Sequence, residues 1–176
     1  MRTTWRWPRD HDEGDLIVSE MDEVIPALVA AVQEQHATGD HYRDDAIRQA
    51  MEHQAQLALR PGPVRVDVIV DPPWSDGQIN SVQVVTGDRP FLVDTVASCL
   101  LRHGWRVEDV RHPIIGVKRD RGTIEAVGTP GRGGCASESW IHIDATAPLG
   151  TDIGQAAEQL RDDLCACLDQ VVCGGR

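Results

Sequence analysis

The feature that most constrains this chain is the run from Val84 to Leu101, where an apolar strand ends at Thr86, turns through Gly87, Asp88 and Arg89, and passes at once into a helix. Gly87 permits a tight exit from the strand, Asp88 suits an N-cap, and Pro90 suits the first turn, where its missing donor is harmless. Leu92, Val96, Cys99 and Leu100 recur at three and four residues and form one apolar stripe, and Gly104 ends the helix. Such a helix must bury its stripe against other elements, and the chain downstream reads as built to cover or pair with this unit. The first turn also leaves backbone N–H donors facing Asp88 and Arg89. Those donors can hold a carboxylate or phosphate, or simply belong to a capped connection, and spacing alone favours the connection.

Around this unit the hydrophobic period alternates between helix and strand. Met21, Val24, Ile25, Leu28, Val29 and Val32 predict a first helix running toward Gly39, with Pro26 near its first turn or kinking it. A second is expected from about Arg43 to Leu59 and is stopped by Arg60-Pro61-Gly62-Pro63. These two read as a hairpin packed on the sheet. From Val64 the period is two: Val64, Val66, Val68 and Val70 face one way, Arg65, Asp67, Ile69 and Asp71 the other. Ile79 to Thr86 returns as its partner. Trp105 to Val110 and Pro113 to Lys118 read as one extended segment broken at His112-Pro113, followed by a short strand over Thr123 to Val127 and a longer one over Ser137 to Ala145. Thr151 is expected to cap a final helix through Ile153, Ala157, Leu160, Leu164, Leu168 and Val171, packed beside the helix that starts near Pro90.

Composition removes several functions. A net charge of -11 argues against nucleic acid or anionic membrane as the main partner, and 4% aromatics leave little for base stacking. No apolar run has the length of a membrane helix, and Met1 to Pro8 lacks the apolar segment of an export signal, so a cytoplasmic location is expected. Five cysteines without a scaffold spacing read as reduced thiols; Cys165 and Cys167 would point their thiols apart on a helix, which disfavours a metal site with Cys173. His36, His41 and His53 read as surface histidines. The loop from Gly128 to Gly134 lacks the Gly-Lys-Ser/Thr ending of a phosphate cradle and leads into a strand, and the same order of elements excludes a dinucleotide fingerprint. On the last strand Trp140, His142 and Asp144 share a face, which fits cross-strand polar pairing better than a base with its partner.

The blocks Thr86-Gly87-Asp88-Arg89-Pro90-Phe91-Leu92-Val93-Asp94-Thr95-Val96, Arg111-His112-Pro113-Ile114-Ile115-Gly116-Val117-Lys118-Arg119-Asp120 and Glu138-Ser139-Trp140-Ile141-His142-Ile143 resemble the N-terminal segment of the large bacterial NAD-specific glutamate dehydrogenases. The resemblance implies an ACT-like (ferredoxin-like) α+β sandwich: a four-stranded, mainly antiparallel sheet with two helices on one face, built on a βαββαβ order. The division expected is a mobile arm over 1–20, a helical extension over 21–62 and the ACT-like domain over 63–176. Two departures stand out. The strand at Val64 to Val70 is additional, and the usual last strand is missing, so the early strand is expected at the vacant edge. ACT modules bind amino acids at the first strand-to-helix turn and pair with copies of themselves; carried over, the ligand-binding residues are Gly87, Asp88, Arg89, Pro90 and Phe91. Regulatory ACT turns have glycine after the proline, where this chain has Phe91, which shifts the expectation from ligand binding to assembly.

The implied function is a non-catalytic regulatory and oligomerisation domain. Its parent enzyme would oxidatively deaminate L-glutamate to 2-oxoglutarate with NAD, and this segment would hold no cofactor, no metal and no catalytic residue. Its partners would be other copies of itself, the remainder of the dehydrogenase and a small amino acid. A free-standing amino-acid sensor is the alternative, and a small metal-dependent enzyme using His112, His142 and Asp144 is a third reading.

Overall fold

The computed structural model describes residues 16–17, 21–35, 44–75 and 77–174. His36, His41 and most of the expected arm lie outside them. The elements are β1 (Leu16–Ile17), α1 (Met21–Gln35), α2 (Asp44–Ala58), β2 (Val64–Ile69), β3 (Asn80–Gly87), α3 (Leu92–Arg102), β4 (Arg106–Arg111), β5 (Ile114–Asp120), β6 (Thr123–Gly128), β7 (Ala136–Thr146) and α4 (Ile153–Cys173). They form the expected ACT-like α+β sandwich around one seven-stranded sheet ordered β1-β6-β5-β7-β3-β2, with β4 also on β7.

The heart of the sheet is β3 against β7, paired from Asn80↔Ala145 to Gly87↔Glu138. On the far side of β7, β4 and β5 follow one another along its length and together make the single bent strand expected from the sequence. The bend falls at His112-Pro113, where the Pro113 carbonyl accepts from Trp140 N–H at 3.0 Å. On the other side of β3 lies β2, antiparallel from Val64↔Thr86 to Ile69↔Ser81. It occupies the edge that the absent last strand would leave vacant. The sheet is wider than four strands because β6 pairs β5 and Leu16–Ile17 pairs β6, extending the far end.

Strand alternation divides the core in two. Val66, Val82, Val84, Ile141, Ile143 and Ala145 meet Leu92, Val96, Cys99 and Leu100 of α3 and Ala157, Leu160, Leu164 and Leu168 of α4, with Trp105 among them. On the opposite face Val85, Ile115, Val117, Ile124, Val127 and Trp140 meet Val24, Leu28, Val29 and Val32 of α1 and Met51, Ala55, Leu57 and Ala58 of α2. The hairpin α1–α2 thus covers the face that the ACT pair α3–α4 leaves open. Gly116 shows how closely the sheet is packed: a Cβ there would lie 2.3 Å from the Gly128 carbonyl oxygen, so no side chain fits.

Two caps differ from expectation. Asp152, not Thr151, is the N-cap of α4, its carboxylate accepting from Gln155 N–H at 3.1 Å, while the Thr151 hydroxyl donates to the Pro148 carbonyl. At α3 the N-cap is Phe91, and Asp88 and Pro90 both precede the helix.

Candidate functional site

The turn from β3 into α3 is built as follows. Gly87 ends the ladder opposite Glu138, and the Asp88 N–H continues it by donating to Ser137 O at 2.9 Å. The Asp88 carboxylate turns back toward the sheet and accepts the Ser139 hydroxyl at 2.6 Å, so it is unavailable as the helix cap. The chain enters α3 through Phe91 in the left-handed conformation, φ 68° and ψ 12°, with no side-chain cap. A non-glycine residue there costs about 1 to 2 kcal/mol. Phe91 sits where the resemblance places glycine, and its backbone keeps the conformation glycine adopts freely. Its ring does not fill the turn: it is 75% exposed.

Asp88, Arg89, Pro90, Phe91, Leu92, Val93 and Asp94 line one side of an open depression of about 450 Å³, and His112 and Ile114, from the bend between β4 and β5, line the other. Of the expected ligand-binding residues the structure gathers Asp88, Arg89, Pro90 and Phe91 here, with Gly87 ending the strand beneath. His112 and Ile114 were not legible as members, because only the pairing of the bent strand with β7 brings them beside the turn. His112 Nε2 lies 2.9 Å from the Ser139 oxygen. Since the Ser139 hydroxyl gives its hydrogen to Asp88, Nε2 must be the donor. His112, Ser139 and Asp88 form a chain of hydrogen bonds joining the bend to the turn. Burial lowers the His112 pKa, opposed by the nearby Asp88 carboxylate. Arg89 is exposed and donates to the Asp88 carbonyl at 2.9 Å. The depression therefore presents the Arg89 cation, the exposed Asp94 carboxylate, a neutral imidazole edge and the start of a helix with no side-chain cap.

His142 and Asp144 belong elsewhere, under α2 on the opposite face. Asp144 is 2% exposed and receives Arg111 at 2.6 Å and His142 Nε2 at 3.0 Å. Gln83 Nε2 donates to Ala50 O at 2.9 Å and to His142 Nδ1 at 3.1 Å, while Gln83 Oε1 accepts from His53 Nδ1 at 2.8 Å. An amide nitrogen only donates, so Nδ1 of His142 accepts and its proton is on Nε2, giving a neutral ring. Burial lowers the His142 pKa, opposed by the hydrogen bond that its ring donates to Asp144. Gln54 adds two bonds from α2 to the sheet, to Val84 O and Ile141 O. His53, read from sequence as a surface histidine, is part of this network and also packs against Trp74 at 5.4 Å. The three residues of the metal-dependent reading are thus split, with His112 bonded to Ser139 on one face and His142 with Asp144 on the other. Among the described residues no group of three or more His, Cys, Asp or Glu side chains is placed to hold a metal ion.

An antiparallel sheet with α3 and α4 on one face and an open turn ahead of α3 defines an ACT-like domain. Residues 27–164 match the family described as glutamate dehydrogenase, ACT1 domain, and the chain belongs to that family. Among curated proteins no match is found. No helix among the described residues is long and apolar enough to cross a membrane.

Proposed function

We propose that this chain is a non-catalytic regulatory and assembly domain of an NAD-dependent glutamate dehydrogenase, acting in the cytoplasm on a parent enzyme that oxidatively deaminates L-glutamate. Membership of the ACT1 family supports the link to the dehydrogenase. The antiparallel pairing of every strand among the described residues supports a role apart from NAD binding, which uses parallel βαβ units.

The observation that carries assembly over ligand capture is Phe91. A strained backbone holding a large apolar ring in solvent is the form of a protein contact, since exposed aromatics anchor interfaces. The dehydrogenase remainder and further copies of the domain are the partners this reading assigns. Amino-acid sensing is the second reading, favoured by the depression beside Arg89 and the uncapped start of α3; its volume lies within the range of about 300 to 1,000 Å³ usual for small-ligand sites.

Calorimetric titration of the chain with a panel of amino acids, L-glutamate included, separates the two when combined with sedimentation analysis. Assembly predicts concentration-dependent association without binding heat. Sensing predicts heat that disappears in Arg89→Ala and Asp88→Ala. A chain that neither associates nor binds overturns both.

A further inference from the structure

We infer that Cys99 and Cys167 form a peroxide-responsive thiol pair, joined across α3 and α4 as a disulfide when the domain meets a hydroperoxide. The inference goes beyond the proposed function and stands whether the domain assembles or senses.

The pair is built where the last turns of α3 lie against α4. Cys99, Arg102 and His103 are three and four residues apart and share one face of α3, while Asp163 and Cys167, four apart, share one face of α4. The two faces meet. His103 Nε2 lies 2.8 Å from Asp163 Oδ2, and Arg102 donates to Cys167 Sγ at 3.3 Å. The same guanidinium also hydrogen-bonds the Cys99 thiol, so the two sulfurs flank one side chain.

The thiols differ in access. Cys99 is fully buried in the core beneath α3 and α4, whereas Cys167 is half-buried and reaches solvent. Partial exposure beside a fixed cation is the environment in which a cysteine is nucleophilic. Asp163, one turn earlier on α4, is held by His103, which leaves the guanidinium to the sulfurs. Burial raises the Cys99 pKa and keeps that thiol protonated, so it is placed to resolve what forms on Cys167 and not to react first.

Cys167, having given its proton to solvent, attacks one oxygen of the peroxide. An S–O bond forms, the O–O bond breaks, and the leaving oxygen takes up a proton as water or an alcohol; the product is a sulfenic acid. Cys99 then attacks that sulfur. The S–S bond forms, the S–O bond breaks, and the oxygen leaves with the Cys99 proton as water. Two thiols lose two electrons and the peroxide gains them. Arg102 is exposed, so it swings outward from between the sulfurs without uncovering the core.

The test is treatment of the full chain with hydrogen peroxide, followed by peptide mapping by mass spectrometry. The chain carries Cys165→Ser and Cys173→Ser, which remove the other half-buried thiol and the exposed one. The expected result is a Cys99–Cys167 cross-link in most molecules, lost on reduction. In Cys99→Ser the sulfenic acid is expected to persist at Cys167 and to be trapped by a 1,3-dione. Arg102→Gln is expected to slow Cys167 oxidation several-fold with circular dichroism unchanged. A Cys167 that stays a thiol, or one carried to a sulfinic acid with Cys99 untouched, overturns the inference, as does an unchanged rate in Arg102→Gln.

Discussion

Under α3 and α4 the sheet meets aliphatic side chains and one tryptophan, whereas under α2 it meets Gln83, His142, Asp144 and Ser81, all buried and all hydrogen-bonded to groups on other elements. Both faces belong to the same strands, alternating residue by residue. The first face is held by area removed from water and tolerates changes that keep volume. The second adds to its apolar contacts with α1 and α2 a network in which each polar atom depends on a partner, so the removal of one group leaves others unsatisfied. Helices on the two faces of the same strands are therefore fixed in different ways, α3 and α4 by shape and α2 by shape together with pairing.

The comparison is broken or sharpened by four variants and conditions. On the aliphatic face, Leu160→Ala opens a cavity beneath α4 and should destabilise by about 4 kcal/mol in chemical denaturation, the upper part of the usual range for a fully buried leucine. On the networked face, Asp144→Ala removes the buried carboxylate that Arg111 and His142 share and should destabilise by about 3 kcal/mol, although it removes little apolar area. A loss below about 1 kcal/mol would show that the network is not a structural element.

Acid sharpens the contrast next. The unfolded chain takes up a proton on His142 near pH 6.5, which the buried ring in the folded chain resists. Stability is thus full above that value and falls as pH drops through it toward the lower folded pKa. The fall should be shallower in His142→Gln, measured as denaturation midpoint against pH, while Leu160→Ala keeps the slope of the unaltered chain. The smallest effect concerns the turn. Phe91→Gly relieves the left-handed strain but gains freedom when unfolded, so a net rise of at most about 1 kcal/mol is expected, or roughly 2 to 4 °C in melting temperature.

The aliphatic face was legible in the sequence for a physical reason: periodicity of three and four over Leu92 to Leu100 and Ala157 to Leu168, against a period of two over Val64 to Val70, reports burial directly. The bent strand was equally legible, because Pro113 must break a ladder wherever it lies. The network was not. His142 and Asp144 were read as a polar pair on one strand, but their partners Gln83 and Arg111 lie 59 and 33 residues away in sequence, and periodicity carries no record of pairing at that range. The turn was legible in place but not in detail. Asp88 looks like a cap because its neighbours are local, yet the Ser139 hydroxyl, brought in by β7, claims its carboxylate first. Likewise His112 was read from sequence at the break of the extended segment and as a possible metal ligand, since its place across the depression from Arg89 exists only after β4 and β5 align on β7.

The measurement that bears most directly on the account is sedimentation velocity of the whole chain from low micromolar to millimolar concentration. The account predicts a concentration-dependent shift from a species of 19.3 kDa to one of twice that mass, without added amino acid. A single species at the monomer mass throughout would contradict it.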